Sequence, residues 1–433
     1  MAITKVTGAL LGNYTGGSAD DTVVVGDGAG DAITTGVDNT LIGDNAGTAL
    51  TEGSSNVAVG NEALASNTTG IQNVAVGKDA ANSVTTGNYN IAVGYHALEA
   101  TTTGANNVAI GRAALEANTT ASDNTAVGFA ALEANTGGYN TSIGKSALAA
   151  NTTAEVNTAV GYNALLSNTT GAANVAIGSQ SLDANTTASN NTAVGAEALS
   201  ANTTGTDNTA IGRYALVAHT TGSSNVAVGR DALEASTTAS NNVAIGVDSL
   251  KANNASSNVA VGASAAAAST GVGNTAVGRS ALAGSNTANY NTAIGNSALE
   301  SNTSGSTNVA VGRLALNANT TGSVNTAVGM RALDLNTTAS NNTAVGGDSL
   351  GANTTGAGNT AVGMDALKQT TTGGSLVGIG TYAGDTVTTG GNSIFIGELS
   401  DASGATVSNE IVIGYGSAGK GANTGFINPN SGG

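Results

Sequence analysis

The chain has 433 residues, of which 63 are glycine, one is proline and none is cysteine or tryptophan. Aromatic residues make up 3% and charged residues 9%, against about 25% charged in an average domain, which excludes a large aromatic core and a strongly solvated disordered coil. The absence of cysteine excludes disulfides and thiolate metal sites, and the net charge of −16 disfavours partners such as nucleic acid or an anionic membrane surface.

The first regular copy of a repeat begins at residue 23. We expect residues 1–22 to form an N-terminal attachment or capping segment, residues 23–414 the repeat domain and residues 415–433 a C-terminal tail. The N-terminal segment has no apolar run of signal-peptide length, and no stretch of the chain approaches the ~20 apolar residues of a membrane helix, so we expect no membrane insertion.

A glycine that closes a short apolar tripeptide marks each repeat. Twenty-four such glycines run from Gly26 to Gly414, and successive marks lie 17 residues apart except at three places. The step is 16 from Gly128 to Gly144, from Gly246 to Gly262 and from Gly262 to Gly278. A fixed period with so few slips predicts a solenoid of about 24 coils.

The tripeptide before each mark predicts a β-strand. Its first residue is Val, Ile or Thr, its third is Val or Ile, and the residue between them is usually Ala, as in Val57, Ala58 and Val59. This alternation places branched side chains on one face of a strand and alanine on the other. We expect the alanine face to be the one that another backbone can approach closely.

After the mark come two variable residues and then usually Ala-Leu, as in Ala63 and Leu64. We predict a second short strand or extended corner with the leucine pointing inward. A helical turn is the alternative because the residues are good helix formers, but the run is far shorter than the ~12 residues that an isolated helix needs.

An asparagine-rich turn completes the repeat. Asn-Thr-Thr triplets favour turns, and the three shortened steps fall near them. Four residues before each mark stands an asparagine, without interruption from Asn39 to Asn359. Stacked once per coil, these amides are expected to form a hydrogen-bonded ladder.

The predicted fold is therefore all-β, a parallel β-roll or β-solenoid whose coils stack at ~4.8 Å, giving a rod of roughly 110 Å. Burial of a few branched side chains per coil does not offset the cost of ordering 17 residues. We expect sister chains to seal the alanine face, which predicts a parallel, in-register homotrimer.

The phrase Asn-Thr/Val-Ala-Val/Ile-Gly resembles the head repeats of trimeric autotransporter adhesins, which are parallel β-rolls packed as trimers. Arrays of this phrase followed by Ala-Leu and Asn-Thr-Thr-Gly resemble bacteriophage tail-fibre and related virion appendage repeats. The resemblance covers about residues 23–413. It implies a trimeric fibre and names no ligand. The chain shows none of the export segments of the autotransporters, which favours the virion interpretation.

No residue pattern predicts catalysis, and we expect no catalytic, cofactor or metal-binding residues and no enzyme activity. His96 and His219 are the only histidines, and both stand at variable positions, where we interpret them as isolated exposed substituents. Asp27 and Asp44 follow neighbouring marks and could together recruit a cation, but we favour the simpler interpretation of a solvated N-terminal end of the stack.

Charged and aromatic residues also occupy variable sites. Seven basic residues directly follow a mark glycine, namely Lys78, Arg112, Lys145, Arg213, Arg230, Arg279 and Arg313. We expect them to form ion pairs with acids one place on, such as Glu62, Asp79, Glu197 and Asp231. A polyanion groove is the alternative. Four tyrosines stand at similar sites and are expected to be exposed: Tyr95, Tyr162, Tyr214 and Tyr382.

The sequence thus predicts a structural and adhesive fibre protein, most simply a phage tail fibre located in the virion and involved in host attachment. Expected partners are two further copies of the chain, tail or capsid proteins, and a host receptor or glycan. The alternatives are a bacterial surface adhesin and an ice- or carbohydrate-binding solenoid. The last requires threonines on a strand face, whereas the Asn-Thr-Thr threonines are predicted in turns.

Overall fold

The computed structural model describes residues 21–284 and 286–428. Within this part of the chain every regular element is a three-residue β-strand. The described residues form two compact units, one of residues 21–213 with 219–221 and one of residues 214–218, 222–284 and 286–428. The predicted N-terminal segment lies outside the described residues except for Asp21 and Thr22, and so do the last five residues of the predicted tail.

The first unit contains twelve strands. They are β1 Val23–Val25, β2 Thr40–Ile42, β3 Val57–Val59, β4 Val74–Val76, β5 Ile91–Val93, β6 Val108–Ile110, β7 Thr125–Val127, β8 Thr141–Ile143, β9 Thr158–Val160, β10 Val175–Ile177, β11 Thr192–Val194 and β12 Thr209–Ile211. Successive strands pair in parallel, and equivalent residues face each other, as Val175 faces Thr192.

The second unit contains thirteen strands. They are β13 Val226–Val228, β14 Val243–Ile245, β15 Val259–Val261, β16 Thr275–Val277, β17 Thr292–Ile294, β18 Val309–Val311, β19 Thr326–Val328, β20 Thr343–Val345, β21 Thr360–Val362, β22 Val377–Ile379, β23 Ile394–Ile396, β24 Ile411–Ile413 and β25 Gly425–Ile427. The 16-residue steps keep the register, since Val243 faces Val259 and Val259 faces Thr275. The parallel solenoid with its 17-residue repeat is confirmed in each unit.

The two faces of the strand are used in the opposite way from the prediction. In β10 the central Ala176 is 0% exposed, whereas the flanking Ile177 is 40% exposed. The alanine face therefore lines the interior of the coil, and the branched face points outward. A single chain already closes the small-residue face, so the expectation that sister chains seal it is wrong.

Leucines from the corner fill the space under the central strand residues. In most coils the fourth residue after the mark is a fully buried leucine, such as Leu115 or Leu199. Where the central strand residue is Leu41 or Phe395, the corner position of the preceding coil is glycine. A Cβ added at Gly30 or at Gly47 would lie 2.9 Å from a methyl carbon of Leu41 in β2, and one at Gly384 would lie 2.7 Å from the ring of Phe395 in β23. The central strand residue and the corner residue thus fill the same space inside the coil, so only one of them can be large.

The segment that follows the mark is a series of turns. Among the described residues this segment contains neither the predicted second strand nor a helix, because the second and fourth residues after the mark adopt positive φ, as in Glu62 at 58° and Leu64 at 51°. Its backbone still bonds to the next coil, and the Leu64 N–H donates to the Ala80 carbonyl at 3.0 Å. The inward direction of the leucine is confirmed, since Leu64 is 1% exposed.

Glycine at the mark is required by close stacking of the coils. Gly161 has a φ of 136°, a region that side chains disfavour, and an added Cβ would lie 2.5 Å from the carbonyl oxygen of Gly178 in the next coil. The unbroken series of marks follows from this contact, which repeats at every step within each unit.

The predicted asparagine ladder is confirmed. The Asn56 backbone N–H donates to the Asn39 Oδ1 at 2.9 Å, and the Asn56 Nδ2 donates to the same oxygen at 3.2 Å and to the Gly70 carbonyl at 2.9 Å. Asn39 and Asn56 are both 0% exposed. The ladder therefore satisfies buried backbone groups at the start of each strand, which a turn without a polar side chain would leave unpaired.

A second ladder was not predicted. It is formed by the asparagine of the Asn-Thr-Thr turn, seven residues after the mark. Asn168 Nδ2 donates to Asn151 Oδ1 at 3.0 Å, and Asn185 Nδ2 donates to Asn168 Oδ1 at 2.8 Å. These residues are also 0% exposed. The turn asparagine thus has two functions, because its amide closes the turn and also joins the coils.

The last coils depart from the repeat and end it. Glu410 replaces the ladder asparagine and is 0% exposed. Its carboxylate accepts hydrogen bonds from the backbone N–H of Gly421 at 2.7 Å and of Ser403 at 3.1 Å. Its own N–H donates to Ser393 Oγ at 3.0 Å. Strand β25, within the predicted tail, then pairs with β24.

Candidate functional site

The side chains that differ most between coils stand one, two and five residues after the mark, and we call these three positions the corner columns. Because the coils of a unit stack in register, residues 17 apart lie in neighbouring coils at the same column. Columns two and five carry many of the charged residues of the chain. Column one carries aromatic and basic residues in the first unit.

His96, in column two, lies among three carboxylates. Its Nδ1 is 2.7 Å from Glu99 Oε2 and 3.6 Å from Glu116 Oε1, and its Nε2 is 3.4 Å from Asp79 Oδ2. The imidazole side chain is 25% exposed. The interpretation of His96 as an isolated exposed substituent is wrong.

The sequence held a signal for this cluster. Asp79 and His96 are 17 residues apart in column two, and Glu99 and Glu116 are 17 apart in column five. The spacing alone does not bring columns two and five together, because their contact depends on the left-handed turns that follow the mark. One ligand atom each from His96, Glu99 and Glu116 lies within 4.8 Å of the others, a grouping that could hold a metal ion.

Column one of the first unit alternates cations and rings. The Arg112 guanidinium lies 5.9 Å from the Tyr95 ring centroid and 5.5 Å from that of Phe129. The Lys145 ammonium lies 6.0 Å from the Phe129 centroid and 5.7 Å from that of Tyr162. Arg112 and Lys145 thus contact aromatic rings, where the sequence predicted ion pairs. Such contacts add modest stability along the stack at exposed sites.

Two surface depressions adjoin the cluster. One of about 280 Å³ is lined by residues of all three columns, namely Tyr95, His96, Arg112, Ala113, Glu116, Phe129, Ala130 and Glu133. The other, of about 450 Å³, follows column five and is lined by Glu99, Ala100, Glu116, Ala117, Glu133, Ala134 and Ala149. Column five therefore presents a row of carboxylates beside open space.

Lys78 and Arg230 form the predicted ion pairs with the residue that follows them. Lys78 Nζ lies 3.5 Å from Asp79 Oδ2, and Arg230 Nη1 lies 2.7 Å from Asp231 Oδ2. These pairs join consecutive residues and leave the cations more than half exposed. Exposed pairs of this kind contribute little to stability.

Three aspartates in column five have raised pKa values. Burial is the largest cause of the raised pKa of Asp183, of Asp334 and of Asp385. Acids in nearby coils add to it, namely Glu197 for Asp183 and Asp348 for Asp334. Column five therefore lies close enough to the body of the coil to desolvate a short acidic side chain.

His219 is 0% exposed, so its interpretation as an exposed substituent is also wrong. It stands seven residues after Gly212, in the position that asparagine holds in the second ladder. Asp27 and Asp44, by contrast, are exposed at the start of the first unit. Within residues 21–284 and 286–428 they belong to no group of three or more metal-binding side chains.

No known family model matches the chain, and no curated protein matches it. In the described part of the chain no helix has the length and apolar character of a membrane span. The fold and the corner columns are therefore the basis for any functional conclusion.

Proposed function

We propose that this chain is a structural and adhesive fibre protein without enzyme activity, and that it belongs to a virion appendage such as a phage tail fibre. A parallel β-solenoid is compatible with a structural role, because each coil is bonded to the next along the whole of each unit. The repeat phrases that resemble tail-fibre and adhesin repeats support the finer assignment.

The observation that carries the proposal is the outward strand face. In every described strand the two outward-facing residues are β-branched or apolar, and none of these strands contains a charged residue. Ile143 and Ile177 are 41% and 40% exposed. With strands ~4.8 Å apart, the outer face of the first unit presents an apolar strip on the order of 500 Å², near the largest patch found on most monomers.

Such a strip is expected to be covered by identical strips. We propose an in-register homotrimer in which three outward strand faces pack against each other, and the alanine faces stay inside their own coils. Trimerisation repeats each corner column three times around the fibre. Weak contacts from the columns to a host receptor or glycan would then gain strength through multivalency.

One observation favours a second function. Threonines such as Thr125, Thr141 and Thr158 lie on the outward strand face, which is where an ice-binding array requires them. Valine and isoleucine interrupt the row, as at Val108 and Val175. Inhibition of ice recrystallisation by the purified chain would support this function over the fibre.

Sedimentation velocity on the full chain tests the assembly. We expect a trimer for the unmodified protein and dissociation for the double variant Ile143→Glu with Ile177→Glu, because two charges per chain would be buried without partners. Ser179→Glu is the matched control, since it adds a charge at an exposed corner residue and should leave the trimer intact. A monomeric unmodified chain would overturn the trimer.

Immunogold electron microscopy tests the location. Antibody against the chain should label tail or surface appendages of phage particles released by a host that carries the gene. Label on the bacterial cell surface and none on particles would support the adhesin and overturn the virion assignment.

A further inference from the structure

We propose that His96, Glu99 and Glu116 bind a divalent transition-metal ion of the Zn²⁺ type, and that Asp79 positions the imidazole. The site goes beyond the fibre proposal and does not depend on it. It lies within the first unit, on the corner columns, away from the outward strand face.

The two imidazole nitrogens face different partners. Nδ1 points to the two glutamates, with Glu99 Oε2 at 2.7 Å and Glu116 Oε1 at 3.6 Å. Nε2 faces the Asp79 carboxylate at 3.4 Å, and the Asp79 side chain is only 11% exposed. A carboxylate on the remote nitrogen of a metal-binding histidine is a common arrangement, because it fixes the tautomer and the ring orientation. Nδ1 is then the nitrogen free to bind the ion.

The donor separations suit a small cation. With Zn–N and Zn–O bonds near 2.0–2.2 Å, neighbouring ligand atoms of a tetrahedral site lie roughly 3.3 Å apart. The two Nδ1–oxygen distances of 2.7 and 3.6 Å fall on either side of this value. Small rotations of two glutamate side chains that are 34% and 35% exposed would equalise them. Three protein ligands would leave one position of a tetrahedral ion for water.

The chemistry of the donors selects the class of metal. One imidazole with two carboxylates is a borderline ligand set that suits Zn²⁺, whereas Ca²⁺ and Mg²⁺ prefer oxygen ligands alone. The local charge also calls for a cation. Three carboxylates surround one imidazole, and among the described residues the basic partner of the group is Lys78, 3.5 Å from Asp79.

The competing explanation is a hydrogen-bonded network in which a proton on Nδ1 joins His96 to the glutamates and no metal binds. Isothermal titration of the full, metal-free chain with ZnCl₂ separates the two. We expect one Zn²⁺ per chain, and Co²⁺ bound at the same site should show visible absorption bands of a four-coordinate ion.

His96→Asn is the decisive variant, because Asn tolerates the positive φ of 57° at this position and should preserve the fold. It should lower Zn²⁺ affinity roughly 100-fold or more, and Asp79→Asn should lower it about 10–100-fold. Glu133→Gln is the matched control, since it removes the next carboxylate of column five, which lies outside the donor group, and should leave affinity unchanged.

Two results would overturn the site. One is the absence of Zn²⁺ binding at millimolar concentration by a chain whose circular dichroism shows it folded. The other is a change in Zn²⁺ affinity that does not single out His96: either no loss of affinity in His96→Asn, or a loss in Glu133→Gln as large as that in His96→Asn. Neither result bears on the oligomeric state, so the fibre proposal is tested separately.

Discussion

Asn308 donates two hydrogen bonds to a single atom of Asn291 in the preceding coil. Its backbone N–H lies 2.9 Å and its Nδ2 lies 3.2 Å from the Asn291 Oδ1. Asn308 in turn accepts the same two bonds from Asn325 and also donates to the Gly322 carbonyl at 2.9 Å. Each ladder amide is therefore bonded in both directions along the stack.

The variant Asn308→Ala should destabilise the second unit. It removes the amide and leaves the buried backbone N–H of Asn325 without its acceptor, which costs about 1–3 kcal/mol. Chemical denaturation followed by circular dichroism measures the change. Asn296→Ala removes an exposed amide one residue after a mark and should be nearly neutral. Equal midpoints for the two variants would contradict the role of the ladder.

Two adjacent glycines offer a sharper comparison. A Cβ at Gly346 would lie 2.6 Å from the carbonyl carbon of Gly363, on a backbone with a φ of 135°, whereas a Cβ at Gly347 would meet nothing nearer than 3.9 Å. Gly346→Ala should lower the thermal midpoint strongly, because the next coil has to move. Gly347→Ala should leave it unchanged or raise it slightly through reduced chain entropy. A loss of similar size in both would show that stacking is not the constraint.

The shared volume under the strands predicts a compensating pair. Ala193→Leu should overpack the core of the first unit at a cost of about 1–3 kcal/mol. Adding Leu182→Gly should recover part of this, since it reproduces the arrangement of Leu41 above Gly30. A double-mutant cycle should give a favourable coupling of about 0.5–3 kcal/mol. Additive effects would mean that Ala193 and Leu182 do not share the volume.

Stability at neutral pH should rise when a column-five aspartate is neutralised. Burial raises the pKa of Asp183 above its ordinary value of 3.8, so its stabilising, protonated form is fully populated below pH 3.8 and is lost as the pH rises through the raised pKa. Asp183→Asn should therefore increase the thermal midpoint at pH 7, with the gain shrinking as the pH falls and vanishing below pH 3.8.

Asp207→Asn is the control for this pH series, because it removes the same charge from an exposed side chain. It should change the midpoint much less. A gain for Asp183→Asn that stays constant from pH 7 to pH 3.8 would show that titration of the carboxyl is not its cause.

Much of the fold could be predicted from the repeat. The strand at each mark, the first asparagine ladder and the inward leucine followed from the period and from alternation of residue types. The second ladder was missed because the asparagine of Asn-Thr-Thr has an adequate local explanation as a turn residue. The cluster at His96 was missed because Asp79 and Glu116 are each one coil away from the histidine.

The sequence by itself determined that one unit of about 17 residues is stacked many times, since only residues such as the mark glycines tolerate the approach of an identical backbone. It did not determine which strand face is inside. Ala176 and Ile177 are both apolar, and alternation defines two faces without choosing between them. The tertiary structure made that choice, because left-handed turns after the mark bring corner leucines such as Leu182 into the interior and, in most coils, leave room there only for alanine.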